Sequence, residues 1–388
     1  MLDSKKLTTE ELENTDTNLG VDPDEDESII KPFDPELIRV ETRPMTIDLL
    51  LQRIKYEELD LAPDFQRKGG IWNNRTKSRL VESILIRIPL PAFYMDATDE
   101  NKWVVIDGLQ RLTSLNMFVN NQSLKLSELE FLTQLEGQTF DELPRNLQRR
   151  IIETQVTVYL IEKGTPSAVK FNIFKRINTG GLPLSLQEIR HALNQGKSTK
   201  LLEKLSDLSE FKQATDGRIE SDRMTDREFI LRFLAFLIRP YTEYKAVEFD
   251  SFLSDVMVDV NDMPEEQVNE LEVKFRTAMV AAYKIFGNDA FRKRRKKGAP
   301  RSLINKALFE SWSVSLSKLT GEQTQTLIDR KDKLIDLFID LMNTSDFESS
   351  ISQGTGDARK VKRRFSAIEQ LIEEIGRASC RERVCSTV

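Results

Sequence analysis

The hydrophobic pattern divides the chain into a mixed first half and a helical second half. Up to about residue 200, short apolar runs that predict strands alternate with segments of helical spacing, and beyond it the helical period recurs almost throughout. The predicted strands lie at 37–47, 93–95, 103–106 and 156–161. The predicted helices lie at 47–59, 74–88, 110–119, 145–153 and 167–177, and then at 225–237, 249–256, 266–286, 302–319, 323–341 and 363–374. A further helix is predicted to begin after 185–188, where Ser185 and Glu188 have the spacing of a capping box.

This order predicts an α+β protein, with a small N-terminal domain over residues 37–198 followed by an all-helical domain over 199–374. Residues 1–36 are strongly acidic and have few apolar anchors, so we expect them to form a disordered acidic tail. The last segment, 375–388, contains IGRASCRERV, which can be written in codons that match a common sequencing adapter. We interpret this segment as a translated adapter that is not part of the native fold.

The amino-acid composition argues against several classes of protein. The two cysteines are Cys380 and Cys385 and the single histidine is His191, so the body has no thiolate zinc site and no disulfide. HNH nucleases and zincins need more than one histidine, so we expect no HNH nuclease in this chain. No apolar run reaches the ~18 residues that a membrane helix needs, and the N-terminus lacks a secretory pattern. The sequence therefore predicts a cytoplasmic protein without a membrane partner.

The most informative segment follows the predicted strand at 103–106. That strand stops at Asp107 and Gly108, and a helix begins directly after them. A glycine there allows close approach of a ligand, and the first turn of the helix offers N–H groups to an anion. Arg111, four residues after Asp107, offers a donor fork suited to phosphate, and Asp107 is a hard oxygen ligand for Mg²⁺. The pattern predicts a phosphate or nucleotide site. The alternative is a helix-stabilising pair worth about 0.3–0.5 kcal/mol.

A second charged feature lies at 291–301, which reads FRKRRKKGAPR and is called the basic segment below. Runs of this kind contact the phosphate backbone of nucleic acids, because each cation neutralises a phosphate and releases counterions. The alternative is a solvated loop. The residues predicted to contact DNA are Arg292, Lys293, Arg294, Arg295, Lys296 and Lys297.

Three segments, in this order and spacing, carry a resemblance to a known family. They read Asp64-Phe65-Gln66-Arg67 with Ile71-Trp72, then Val105-Ile106-Asp107-Gly108-Leu109-Gln110-Arg111-Leu112-Thr113, and then Phe174-Lys175-Arg176-Ile177-Asn178-Thr179-Gly180-Gly181-Leu182-Pro183-Leu184. Over about residues 45–195 the chain resembles the ParB-like family named after the N-terminal part of the GmrSD restriction enzyme. The helical remainder, including residues 305–310, resembles the shorter stand-alone members.

The resemblance implies a ParB/sulfiredoxin-like mixed-sheet fold that binds a nucleoside triphosphate, whose base the sequence does not specify. Mg²⁺ is the cofactor expected from the carboxylate of Asp107. The implied catalytic residues are Asp107, Arg111 and Gln66, with Asp107 also the metal ligand. The implied nucleotide- and phosphate-binding residues are Arg67, Gly108, Gln110, Asn178 and Gly180. Structural alternatives exist, since Arg67 can anchor its loop to a carboxylate and Asn178 can cap a helix. The family's usual motif is Asp-Gly-Gln-Gln-Arg, and Leu109 at its third position removes one amide from the site.

Characterised relatives hydrolyse nucleoside triphosphates in a reaction coupled to DNA cleavage, in defence against phage or modified DNA. Their nuclease is usually a separate C-terminal HNH domain. The first hypothesis is therefore a Mg²⁺-dependent NTPase of a restriction-type defence system, acting with a separate nuclease partner and with homo-oligomerisation left open. The alternatives are a ParB-like DNA-binding or nuclease module that grips DNA through the basic segment, and a non-catalytic adaptor in which the motif serves folding.

Overall fold

A computed structural model describes residues 39–61, 72–177, 184–245 and 248–385. The acidic tail predicted at 1–36 lies outside these ranges, and so do four of the predicted site residues. These four are Gln66, Arg67, Asn178 and Gly180. No helix of the described ranges is long and apolar enough to cross a bilayer.

The N-terminal region contains five strands and six α-helices among its described residues. In chain order they are β1 (Val40–Thr46), α1 (Ile47–Lys55), β2 (Leu59–Asp60), α2 (Asn74–Leu85), β3 (Phe93–Ala97), β4 (Trp103–Asp107), α3 (Leu109–Val119), α4 (Arg145–Ile152), β5 (Gln155–Glu162), α5 (Ser167–Ile177) and α6 (Leu186–Leu193). Side-chain caps set the starts of α1 and α2. Thr46 Oγ1 accepts a bond from Leu49 N–H at 3.3 Å, and Asn73 Oδ1 accepts one from Thr76 N–H at 2.8 Å.

The strands form one mixed sheet in the order β1-β5-β3-β4-β2. The β1–β5 and β3–β4 pairs are antiparallel, and the β3–β5 and β2–β4 pairs are parallel. One face of the sheet is buried beneath α1, α2, α3 and α4, in a continuous apolar cluster. The α+β class is therefore confirmed.

The second face of the sheet is covered over only part of its width. Phe171 and Phe174 of α5 and Ile189 of α6 pack there on Ile106 and Ile161. Toward β1, the described side chains on this face are exposed. Among the described residues, the partial cover leaves a solvent-facing strip on β1 and the neighbouring part of β5.

The C-terminal region is built from helices, joined by loops, over its described residues. Its elements are α7 (Lys197–Ser206), α8 (Ser209–Ala214), α9 (Thr225–Ile238), α10 (Phe249–Asp262), α11 (Glu265–Phe286), α12 (Lys306–Ser317), α13 (Gly321–Asp329), α14 (Lys331–Met342), α15 (Ser345–Ser352) and α16 (Ala358–Cys385). All residues of α12 from Lys306 to Leu316 are buried, so this helix is the centre of the bundle. A helix that is buried on every side must also bury its polar residues.

Those buried polar residues form a chain of ion pairs. Glu310 and Arg364 are both fully buried and pair with each other. The second carboxylate oxygen of Glu310 lies 3.4 Å from Arg232, which also donates to Glu228 at 3.1 Å. Lys306 completes the chain with a 3.0 Å contact to Glu228. Burial alone would raise the pKa of Glu228, but Lys306 and Arg232 lower it to about 2, so the carboxylate stays ionised.

The two regions meet at α6. Ser185 and Glu188 form the predicted capping box at its start, and both also contact Arg223 of the helical region. Ser185 Oγ donates to the Arg223 carbonyl at 2.7 Å, and the Arg223 guanidinium lies 3.0 Å from the Glu188 carboxylate. Further along α6, Arg190 is 1% exposed and pairs with Asp250 of α10. Buried and half-buried polar contacts of α6 therefore connect the N-terminal region to the helical region.

Most predicted elements are confirmed with shifts of a few residues, and one is wrong. The helix predicted over 323–341 is two helices, because Arg330 (φ −110°, ψ 20°) leaves the helical region between them. No glycine or proline marks that break in the sequence. The elements that the pattern did not predict are β2, α7, α8 and α15. Helix α16 continues through residues 375–385, which the sequence assigned to a translated adapter.

Candidate functional site

The predicted strand–turn–helix is present at the end of β4. The pairing of β4 with β3 shifts by one residue at this point. Tyr94 pairs with Asp107 and Met95 pairs with Val105, so Ile106 is an extra residue on β4 and forms a β-bulge. Bulges of this kind bend a strand and change the direction of a side chain, and they recur beside active sites. The bulge therefore positions Asp107 at the open end of the sheet.

Gly108 is required at this turn for two reasons. It is the N-cap of α3 with φ 100° and ψ 7°, a left-handed conformation that side chains rarely adopt. A Cβ at this position would lie 2.8 Å from Phe93 Cε1 and still closer to Phe93 Cδ1. Because glycine offers no capping side chain, the first turn of α3 receives no acceptor from its N-cap, which favours an external anion.

Arg111 is largely engaged within the protein. Its side chain is 10% exposed, and its NH2 group donates to Asp107 Oδ2 at 2.7 Å and to the Ala92 carbonyl at 3.1 Å. The NH1 group donates to the Pro91 carbonyl, and the guanidinium lies 4.4 Å from the Phe93 ring centroid. Arg111 therefore braces the start of β3 against the end of β4. In this arrangement its positive charge lies beside the turn, and both of its terminal nitrogens are bonded.

Asp107 is the more accessible member of the pair, since 32% of its side chain is exposed. Burial raises the pKa of Asp107, and the Arg111 charge together with the Gly108 N–H partly offsets that rise. A proton therefore competes for this carboxylate at a higher pH than for an ordinary aspartate. Among the described residues, no group of three or more His, Cys, Asp or Glu side chains is arranged to hold a metal ion.

The two glutamine positions of the family motif have different surroundings. Leu109 is 4% exposed and packs in the apolar cluster beneath the sheet, so the side chain at this position faces the core. Gln110 is half-buried, and its Oε1 accepts a bond from Trp72 N–H at 3.4 Å. Trp72 is the first described residue after the segment that contains Gln66 and Arg67. Gln110 thus ties the first turn of α3 to the chain where that segment ends.

The basic segment lies in the helical region, and carboxylates contact much of it. Arg292 is 6% exposed, and its guanidinium donates to the Ser302 and Asn288 carbonyls. Lys293 and Arg294 are half-buried, whereas Arg295, Lys296 and Lys297 are exposed. The ion pairs join Arg294 to Asp289 at 3.3 Å, Arg295 to Glu348 at 2.9 Å, Lys297 to Asp336, and Arg301 to Asp216 at 3.2 Å.

The structure adds two tyrosines that sequence reasoning missed. The rings of Tyr94 and Tyr159 are stacked, with centroids 4.8 Å apart and an interplanar angle of 18°. Burial raises the pKa of Tyr94, and the neighbouring Tyr159 and Asp107 raise it further. Both tyrosines lie on predicted strands, but nothing in the sequence indicates that β3 and β5 are neighbours.

The candidate site lies within a segment that matches a known protein family. Residues 47–195 match the family model described as the GmrSD restriction endonuclease, N-terminal domain, and no curated protein matches the chain. The match begins at the first residue of α1 and ends two residues after α6, so it includes the bulged strand, the glycine turn and α3. It relates the chain to restriction-type defence proteins. The segment that carries the candidate site, residues 47–195, is therefore similar to the N-terminal domain of the GmrSD restriction endonuclease.

Proposed function

We propose that the N-terminal region is a ParB-like domain that binds a nucleoside triphosphate and hydrolyses it with Mg²⁺, in a cytoplasmic restriction-type defence system. The observation that carries the proposal is the β4–α3 turn. There a partly exposed carboxylate, Asp107, is held by a buried arginine at the start of a helix whose N-cap is a glycine. A helix start of this kind favours the negative charge of phosphates.

In this proposal, each described residue at the β4–α3 turn has a separate role. The first-turn N–H groups of α3 face the phosphates, and Gly108 adds no side-chain acceptor that would compete for them. Arg111 fixes Asp107 and the Pro91–Ala92 backbone in place and adds positive charge beside the turn. Hydrolysis of this type depends mainly on positioning and charge neutralisation, so it requires no histidine. Gln66, Arg67, Asn178 and Gly180 keep their predicted roles toward water and phosphate.

Asp107 is the residue that would hold Mg²⁺. This ion usually takes one or two protein carboxylates, and the phosphates of its substrate supply further oxygens. When bound, it neutralises charge on the phosphoryl group that is transferred. The exposed third of the Asp107 side chain leaves the carboxylate accessible, while Arg111 keeps it from rotating away.

Asp107→Asn tests this proposal. We expect it to lower the rate of Mg²⁺-dependent phosphate release from the preferred nucleotide about a hundredfold or more, because a preorganised charge at the reacting group is removed. The measurement compares ATP, GTP, CTP and UTP, with and without duplex DNA. Asp99→Asn is the matched control, since Asp99 is an exposed carboxylate in the turn that joins β3 to β4.

The pH profile gives a second readout in the same experiment. The pKa of Asp107 is raised in the metal-free protein, so at limiting Mg²⁺ the wild-type activity should fall on acidification at a pH above the ordinary aspartate range of about 4, because protons then compete with the ion for this carboxylate. The Asn variant should lack that acidic limb in whatever activity it retains. Equal rates in wild type and Asp107→Asn would exclude the proposed role, and no release from any nucleotide by wild type would leave a non-hydrolysing binder or an adaptor.

A second candidate function, DNA binding through the basic segment, is favoured by its excess of positive charge. The seven cations from Arg292 to Arg301 meet four carboxylates, and most of these contacts are exposed. Exposed ion pairs of this kind contribute about 0–1 kcal/mol, so phosphates can replace the carboxylates. In this setting, strand cleavage belongs to a separate nuclease partner.

The triple change of Arg295, Lys296 and Lys297 to glutamine tests the DNA interface. Each phosphate contact that is lost lowers the slope of log affinity against log salt by about 0.9, so we expect the slope to fall by about three. Titration of a labelled duplex over a salt series measures this slope. Lys200→Gln with Lys204→Gln on α7 removes exposed charge elsewhere and should leave the slope unchanged. The same slope for wild type and the triple variant would rule out this surface.

A further inference from the structure

A row of side chains crosses the second face of the sheet and ends at the candidate site. In the strand register, Thr42 of β1 pairs with Tyr159 of β5, Tyr159 pairs with Tyr94 of β3, and Tyr94 pairs with Asp107 of β4. Directly paired residues of neighbouring strands project from the same face of a sheet. One continuous line therefore connects the edge strand β1 to the proposed metal ligand.

The two tyrosine rings stand side by side along this line. Their 4.8 Å separation equals the spacing of neighbouring strands, and their planes are within 18° of parallel. Tyr94 packs against the apolar cluster beneath α5 and α6. The other ring face of Tyr159 is turned toward β1, where its neighbour is the short, exposed side chain of Thr42.

Among the described residues, the side chains beside that ring face on β1 and β5 are uncharged. Thr42 and Pro44 of β1 and Gln155 and Thr157 of β5 are all exposed on this side of the sheet. Hydroxyl and amide groups beside an aromatic ring suit the neutral, planar part of a ligand, whereas a phosphate needs cations or a helix start. The row thus provides two different environments, a neutral aromatic one toward β1 and a charged one at β4.

The length of the row fits a single ligand that bridges both environments. From β1 to β4 there are three strand spacings, which is about 14 Å. An extended nucleoside triphosphate has a comparable span from its base to its terminal phosphate. A base above Thr42 would occupy the next stacking position after Tyr94 and Tyr159.

From this arrangement we infer that Tyr159 is the base-stacking residue of the nucleotide site, with the nucleoside lying on the open sheet face above Thr42 and the phosphates at the start of α3. The inference rests on the proposed nucleotide binding. It adds the position of the neutral part of the ligand, the nucleoside. A base stacked on an aromatic side chain tolerates any base identity, because every base has a π-face. The sheet row therefore supplies affinity for nucleosides in general, and hydrogen bonds from the neighbouring polar groups supply any preference.

The test compares two ligands, the preferred nucleoside triphosphate and inorganic tripolyphosphate, by calorimetry on the full chain. Wild type should bind the nucleotide more tightly than tripolyphosphate. Tyr159→Leu should weaken nucleotide binding about 5- to 150-fold, the range for loss of one stacked base, and leave tripolyphosphate binding unchanged. Tyr159→Phe keeps the ring and should restore nucleotide affinity, which shows that folding is not the cause.

Each other outcome overturns the inference in a distinguishable way. If Tyr159→Leu weakens both ligands equally, the tyrosine pair only stabilises the sheet. If it weakens neither but changes the oligomeric state in light scattering, the face is an interface between two copies of the chain. If wild type binds tripolyphosphate as tightly as the nucleotide, the phosphate part of the proposed function survives without a nucleoside site. If wild type binds neither ligand, the proposed function itself fails.

Discussion

Replacing Arg364 by alanine is expected to lower the free energy of unfolding of the helical region by about 3–5 kcal/mol. Arg364 is fully buried and pairs with Glu310, which is also fully buried. It also donates to the Thr355 carbonyl at 2.8 Å and the Ser350 carbonyl at 3.3 Å. The change leaves a buried carboxylate with Arg232 alone and two carbonyls without this donor, so it should be far worse than loss of an ordinary ion pair. Urea unfolding followed by far-UV circular dichroism measures it.

Arg359→Ala is the matched control on the same helix. Its side chain is 94% exposed and lies 3.6 Å from Asp357, so its loss should change stability by no more than about 0.5 kcal/mol. The double change Arg364→Met with Glu310→Met should recover much of the loss, because apolar side chains of similar volume can replace a buried pair. A cost for Arg364→Ala as small as that of the control would contradict the buried network.

Gly108→Ala is expected to destabilise the N-terminal region by about 2–5 kcal/mol and to abolish nucleotide hydrolysis. The left-handed backbone at Gly108 (φ 100°) accounts for about 1–2 kcal/mol of this. The clash with Phe93, which is fully buried and lies under the Arg111 guanidinium, adds about 1–3 kcal/mol of overpacking. Because the same ring supports Arg111, relaxation of the clash would also displace the brace of Asp107. Unfolding and phosphate release are measured on the same variant.

Gly137→Ala separates the two causes. Gly137 has φ 80°, but a Cβ there would meet nothing within 4 Å, so this variant reports backbone strain alone. Phe93→Leu in the Gly108→Ala background should return part of the stability by relieving the clash. If Gly108→Ala and Gly137→Ala lower the free energy of unfolding by the same amount, the close approach of Phe93 to Gly108 does not contribute to the destabilisation.

The sequence predicted local features well, because local contacts determine them. The capping box of Ser185 and Glu188 and the strand–glycine–helix order at Asp107 follow from residues within four positions of each other. The pairing of Asp107 with Arg111 was predicted for the same reason, and it is present at 2.7 Å. The α+β class followed from the change of hydrophobic period near residue 200.

The hydrophobic pattern of the sequence does not specify contacts between segments that are distant in the chain. The Arg111 guanidinium is directed to the Pro91 and Ala92 carbonyls, about twenty residues earlier in the chain, and no periodicity indicates that. Glu310 belongs to a segment whose family resemblance was noted, yet its partner Arg364 lies 54 residues away. The stacking of Tyr94 on Tyr159 depends on which strands are neighbours in the sheet, which hydrophobic alternation does not specify.

The polar contacts between α6 and the helical region limit how short a stable fragment of this chain can be. Arg190 is buried against Asp250 of α10, and Ala192 packs with Met224 of the helical region. A fragment cut at residue 195, where the family match ends, would expose an apolar patch and leave a buried cation without its acid. A stable fragment of this chain must therefore extend at least through α10, so that Asp250 and the apolar cover of α6 are retained. The shortest independently stable unit is then longer than the segment that matches the family model.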